Sequence, residues 1–316
     1  MQKLLKKEQF KNFLQSLIQN YQVIAPVKKD NTKFDIIQKP KQVYLRNITQ
    51  VPLKKFFLPD NETLLEFDNQ KIIESKDNTP IRIIFGLRLC DINALLVLDK
   101  IMQDPKYIMK RRKTIIIGYH CSNPDKYCFC NSMQLIHKGY DLFFYPTRNH
   151  YFISIGSKKG LALVKHLPNA KITFNPRIKN IKTLPDKNIT NHYQDKAWQT
   201  NSDNCLSCSA CTIYCPTCNC FDIIDKSDLN NIKGKRTRSE ASCQLQSFSR
   251  VAGNKIFRNN RASRFKHFVY HKIDYFKKSH GRYMCVGCGR CLRVCPTKID
   301  WTNTINLITS MKSEEK

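Results

Sequence analysis

The sequence lacks the glycine-rich loops that proteins use to bind nucleotides. Neither G-x-G-x-x-G nor a phosphate-binding loop occurs among its 10 glycines, so we expect NAD and FAD to be bound by a partner. It also lacks an apolar run that could span a membrane, because the longest, Ala94–Leu98 and Ile115–Ile117, are far too short. Charged residues interrupt the start of the chain, which argues against a signal peptide. These absences predict a cytoplasmic protein.

Acidic residues are scarce, since 25 Asp and Glu stand against 54 Lys and Arg, for a formal net charge of +29. Such a charge raises the hypothesis of a nucleic-acid-binding regulator. The densest basic segment, Arg261–Lys278, also carries an apolar helical stripe, which indicates that its aromatic rings face a core rather than stack on bases. The stripe consists of Phe265, Phe268, Val269, Ile273 and Phe276. Nucleic-acid binding is therefore the less favoured hypothesis, and we expect the charge to steer an acidic redox partner.

A repeated cysteine spacing dominates the last third of the chain. The run C-x2-C-x2-C-x3-C-P occurs twice, at Cys205–Pro216 and at Cys285–Pro296. Bacterial ferredoxins use this spacing: three thiolates hold one 4Fe-4S cluster, and the fourth reaches the other cluster. The repeat thus predicts two 4Fe-4S clusters. The predicted ligands of cluster I are Cys205, Cys208, Cys211 and Cys295, and those of cluster II are Cys285, Cys288, Cys291 and Cys215.

The residues between these cysteines suit a cuboidal cluster. Small residues, including Ser207, Ser209, Gly287 and Gly289, allow the backbone to approach the cofactor closely. The proline after each fourth cysteine ends a short helical turn. Structural zinc is the alternative, but zinc sites usually show two separated C-x2-C pairs and not a duplicated run that ends in Cys-Pro.

Hydrophobic periodicity predicts an α+β chain with two domains. Residues 1–195 alternate short apolar runs with helical patterns, which indicates a mixed α/β domain. It is expected to begin with an amphipathic helix, and a later helix is expected to start with Asp91 as its N-cap. Residues 196–316 are predicted to form a ferredoxin-like dicluster domain. The connection between its motifs is longer than two clusters need, which predicts a helical insertion at about 221–284, including a helix through SCQLQSFSRVA.

Seven cysteines lie outside the repeat and form two groups in the sequence. Free cysteines often behave as small buried apolar residues, and neither group has a diagnostic spacing. The possibility that one of the groups holds a third cluster stays open. The first group is Cys90, Cys121, Cys128 and Cys130, and the second is Cys218, Cys220 and Cys243.

Several longer motifs resemble one protein family. CLSCSACTIYCPTCNCFDI, SCQLQSFSRVAG and CVGCGRCLRVCPTKID, together with GLRLCD and CFCNS in the N-terminal half, are similar to the dicluster beta subunit of cytoplasmic sulfhydrogenases and to the related iron-sulfur subunit of anaerobic sulfite reductase. One departure is Leu89, where the family usually has proline. The resemblance implies a subunit that makes no bonds itself. It would pass electrons between a flavin- and 2Fe-2S-bearing subunit that uses NAD(P)H and a catalytic nickel-iron or sirohaem subunit.

Two further hypotheses compete with this electron-transfer function. One is a redox-sensing iron-sulfur protein that binds nucleic acid, motivated by the charge. The other is an activity of the N-terminal domain itself, for which Arg88, Asp91, His120 and the nearby cysteines are the candidates. An ordinary polar role at the end of a strand is the simpler interpretation of His120. The sequence does not specify the terminal reaction, whether of hydrogen, sulfur or sulfite, or the direction of electron flow.

Overall fold

The computed structural model describes residues 2–68, 71–76, 78–228 and 233–310. The strands are β1 (Gln2–Lys6), β2 (Gln22–Lys28), β3 (Thr32–Ile36), β4 (Glu62–Asp68), β5 (Ile72–Glu74), β6 (Arg82–Leu87), β7 (Thr114–Tyr119), β8 (Leu142–Pro146), β9 (His150–Ile155), β10 (Phe221–Ser227) and β11 (Lys233–Glu240). The α-helices are α1 (Phe10–Asn20), α2 (Leu89–Ile101), α3 (Pro105–Arg112), α4 (Lys158–Val164), α5 (Ala197–Asp203), α6 (Ala210–Ile213), α7 (Arg261–Tyr270), α8 (Phe276–His280), α9 (Arg290–Val294) and α10 (Trp301–Ser310). The fold is α+β, as predicted.

The chain forms two compact units, and neither is a single stretch of sequence. The first comprises Met1–Leu53, Asp77–Ile181 and Val286–Cys288, and the second comprises Lys54–Lys76, Lys182–Cys285 and Gly289–Lys316. This division differs from the predicted boundary at residue 195 because Lys54–Lys76 supplies strands β4 and β5 to the sheet of the second unit.

The first unit is built on a mixed seven-stranded sheet in the order β1-β9-β8-β7-β6-β2-β3. Strands β2, β6, β7 and β8 run parallel, and the outer pairs are antiparallel. The central strands are continuous apolar runs because both faces are covered. Helix α1 packs Phe13, Leu14 and Leu17, which follow helical spacing, into the core formed with Phe85 and Phe144.

One local prediction in this unit is only partly correct, and another is wrong. The predicted N-terminal amphipathic helix is present as α1, but residues 2–6 before it form strand β1, because they pair with β9 and tertiary pairing overrides local helical periodicity. Helix α2 begins at Leu89, so Arg88 is its N-cap. Asp91 is the third helical residue, and its carboxylate accepts a hydrogen bond from the Arg88 backbone N–H at 3.4 Å.

The second unit combines a small sheet, in the order β10-β11-β4-β5, with short helices. The predicted insertion at about 221–284 is only partly helical. Phe221–Ser227 and Lys233–Glu240 pair as strands β10 and β11, and SCQLQSFSRVA forms no α-helix, with a 3-10 turn at Ser247–Ser249 and the start of another at Ala252. The predicted basic helix is present as α7, a π-helical turn at His271–Tyr275, and α8. No helix in the described ranges is long and apolar enough to cross a membrane.

Candidate metal centres

The two cysteine loops share one backbone conformation. The residues two and four positions after the first cysteine are left-handed in both, with φ of +50° at Ser207, +67° at Ser209, +63° at Gly287 and +68° at Gly289. A short helix follows immediately, α6 in the first copy and α9 in the second. These are the tight turns for which small residues were predicted.

The four cysteines assigned to cluster I line one cavity within the second unit, together with Cys291, which is assigned to cluster II. Its remaining walls are largely apolar and include Phe265, Phe268, Ile299 and Trp301. Soft thiolates are the preferred ligands of iron-sulfur clusters, and an apolar shell limits water access and tunes the reduction potential. The residues present therefore fit a cuboidal cluster. The aromatic stripe of α7 faces this interior, as predicted, with Phe265 and Phe268 buried.

A threonine hydroxyl contacts the fourth cysteine of each motif. Thr217 Oγ1 is 3.2 Å from Cys215 Sγ, and Thr297 Oγ1 is 3.5 Å from Cys295 Sγ. Hydrogen bonds to ligand sulfurs are one of the means by which proteins set cluster potentials. Neither threonine was among the predicted site residues, although the triplet C-P-T in both copies is a signal that could have revealed them.

Buried thiols of the first motif differ in their acidity. Burial raises the pKa of Cys211 well above its usual value. Cys215 is also buried, but its pKa lies well below the usual value because the Cys218 thiol donates a hydrogen bond to its sulfur and the positive charge of Lys272 is close. Cys215 is therefore held in the thiolate form that binds iron.

Lys272 is a buried cation inside this sulfur-rich region. Its side chain is 3 % exposed, and its Nζ donates to Cys218 Sγ at 3.1 Å and to Thr217 Oγ1 at 3.4 Å. Burial alone would lower the pKa of Lys272, but the neighbouring Cys215 and Cys218 raise it well above the usual value. Helical spacing gives a signal for this residue, because Lys272 lies four residues after Phe268 and four before Phe276, within the apolar stripe.

The residues assigned to cluster II fall into both units. Cys215, Cys285 and Cys291 belong to the second, and Cys288 belongs to the first with Val286 and Gly287. Within the first unit, this tip of the loop is held by the C-F-C segment. The Phe129 backbone N–H donates to Gly287 O at 2.8 Å, and the Cys128 thiol donates to Cys288 O at 3.6 Å.

The cysteines outside the repeat are mostly buried. Burial raises the pKa of Cys128 to about 12 and the pKa of Cys130 to about 11. The nearby Cys121 and Cys288 raise the pKa of Cys130 further. Cys90 packs with Ala94 in a small apolar cluster. Within the described part of the chain, no three His, Cys, Asp or Glu side chains converge on a position for a single metal ion.

The candidates for an N-terminal activity lie at the ends of β6 and β7. Arg88 is buried, donates to the backbone carbonyls of His120 and Leu45, and stacks on Tyr119 with its guanidinium carbon 5.3 Å from the ring centroid. Burial lowers the pKa of His120 to about 4, so the imidazole is neutral near pH 7. These contacts join strand ends and loops, which is a structural role for Arg88.

Comparison with known proteins adds two matches. Residues 204–299 match the family model described as a 4Fe-4S dicluster domain. The chain is 30% identical to the sulfhydrogenase 2 subunit beta of Pyrococcus furiosus, and the alignment covers 96% of each protein. No solved structure matches the chain.

Proposed function

This chain belongs to the family of sulfhydrogenase beta subunits, and on that premise we propose that it relays electrons between a flavin-bearing subunit that uses NAD(P)H and a catalytic subunit. The family and the dicluster domain identify it as an iron-sulfur electron-transfer subunit of a multi-subunit complex, with two 4Fe-4S clusters. When bound, each cluster takes up and releases one electron. The proposed catalytic partner is a nickel-iron hydrogenase or a sirohaem sulfite reductase, and the proposed location is the cytoplasm.

The observation that carries this function is the convergence of Cys205, Cys208, Cys211 and Cys295 on one cavity, which Cys291 also lines. Because Cys291 and Cys295 come from the second motif, the two motifs meet at this site, as an exchange of ligands between them requires. The chain itself supplies thiolates, apolar walls and buried positive charge. These are the groups that hold a cluster and set its potential.

Ligand substitutions test the two cluster assignments. We expect Cys208→Ser and Cys288→Ser each to reduce the iron content from about eight to about four per chain and to remove or convert one of two EPR signals. Cys121→Ser is the matched control and should retain both signals. An unchanged two-cluster spectrum in Cys288→Ser would show that the ligand assignment is wrong.

A rapid-mixing experiment tests the relay. A complex purified through a tag on this chain should show bleaching of cluster absorbance after it is mixed with NADPH. The isolated, cluster-loaded chain should show none, because it has no nucleotide-binding loop. Direct reduction of the isolated chain by NADPH would contradict the assignment of NAD(P)H chemistry to a partner.

A further inference from the structure

The β10–β11 hairpin brings two cysteines together that are distant in sequence. Cys220 directly precedes β10, and Cys243 follows β11 by three residues. Phe221 pairs with Glu240 at the open end of the hairpin, and the Ala241 backbone N–H donates to Cys220 O at 3.0 Å. The two side chains are close enough for the Cys243 thiol to lower the pKa of Cys220. The sheet register therefore positions this pair.

The two sulfurs have unequal surroundings. Cys220 is partly exposed and lines a surface pocket with Lys54 and Arg238, whereas Cys243 is 4 % exposed. The nearby Cys243 thiol lowers the pKa of Cys220 to about 6, and the nearby Cys220 and burial raise the pKa of Cys243. An accessible thiolate next to a protected thiol is the arrangement of dithiol pairs that undergo oxidation and reduction.

The residues on either side of Cys243 contact the first cysteine loop. Ser242 Oγ is 2.8 Å from Thr212 Oγ1, on helix α6, which contains Cys211. Gln244 lines the cavity of the cluster I cysteines, and its Oε1 is 3.9 Å from Cys205 Sγ. Cys243 is therefore next in sequence to two residues whose side chains contact the cluster I loop.

We propose that Cys220 and Cys243 form a redox-active pair that cycles between a dithiol and a disulfide by electron exchange with the relay. Oxidation forms one Sγ–Sγ bond, releases two protons to water, and passes two electrons, one at a time, to the relay. Reduction breaks the bond and takes up two electrons and two protons. The inference rests on the proposed function because the relay supplies and removes these electrons. The pair stores a two-electron equivalent beside one-electron carriers.

The test is a redox titration of the cluster-loaded chain, poised anaerobically with chemical mediators. Samples are quenched with acid, alkylated with iodoacetamide, and analysed by peptide mass spectrometry. At high potential we expect a disulfide-linked peptide that contains Cys220 and Cys243, and at low potential we expect both residues to be alkylated. Cys121→Ser should behave like the wild type, whereas Cys220→Ser should leave Cys243 alkylated at every potential.

Iron content provides the second measurement. Cys220→Ser and Cys243→Ser should retain about eight irons and both EPR signals, because neither residue is assigned to a cluster. Alkylation of both residues at every potential in the wild type would overturn the proposal. A loss of about four irons in either variant would also overturn it, since these residues would then be ligands of a further cluster. Mediators replace the partners here, so a failed relay to NADPH would leave the titration of the pair unchanged.

Discussion

Removing the charge of Lys272 should lower the reduction potential of the neighbouring cluster. The buried ammonium is 3.1 Å from Cys218 Sγ and raises the thiolate character of Cys215, a proposed ligand of cluster II. A positive charge favours the added electron, so Lys272→Met makes reduction harder. Lys272→Arg retains the charge and should retain most of the potential.

The size of this shift follows from Coulomb's law. A unit charge about 4 to 8 Å from the added electron contributes about 2 to 4 kcal/mol at an effective dielectric constant of about 20. Because about 59 mV corresponds to about 1.4 kcal/mol for one electron, the expected decrease is on the order of 80–170 mV.

An EPR-monitored redox titration measures this change. One of the two clusters should shift in Lys272→Met, while iron content stays at about eight per chain. Lys3→Met is the matched control, because Lys3 is also buried but donates to the backbone carbonyls of Lys165 and Leu167 in the first unit. Unchanged potentials in Lys272→Met, or an equal shift in Lys3→Met, would refute the electrostatic argument.

Two further substitutions probe the packing of the first unit. Gly287→Ala should lose one cluster, because its Cβ would lie 2.6 Å from Cys130 Cα. The loss is measured as a decrease from about eight to about four irons per chain. Gly281→Ala is the control and should retain both clusters, because Gly281 has a similar φ of +70° but open space around the new Cβ. Equal iron in the two variants would contradict this reasoning. Asp99→Asn should lower the free energy of unfolding, measured by urea titration, by about 1–2 kcal/mol. The reason is that Asp99 accepts hydrogen bonds from Tyr107 and, through both oxygens, from Arg111. An unchanged free energy of unfolding would show that this partly exposed network does not stabilise the fold.

The cluster loops could be predicted from the sequence because their chemistry is local. Four thiolates around a cube need a fixed spacing and small intervening residues, and both are visible in the order of residues. The central strands of the first unit could be predicted for a similar reason, since runs such as Arg82–Leu87 are apolar throughout most of their length.

The missed features depend on contacts between distant segments. β10 and β11 are almost entirely polar or exposed, as in the run KGKRTRSE, and they are strands because they pair with each other and with β4. The Cys220–Cys243 pair results from that strand register, and the spacing of the two cysteines in the sequence gives no indication of it. The helical prediction for the first residues failed for the same reason, because β9 supplies the partner that makes β1 a strand.

The π-helical turn at His271–Tyr275 holds Lys272 in a wider turn than an α-helix would. The Phe276 backbone N–H donates to His271 O, five residues earlier, so the turn holds one residue more than an α-helical turn. The turn therefore absorbs an extra residue between α7 and α8, and Phe268 before it and Phe276 after it are both buried. Helix irregularities of this kind recur at functional sites, and here the irregular turn carries the buried charge that contacts the Cys218 sulfur.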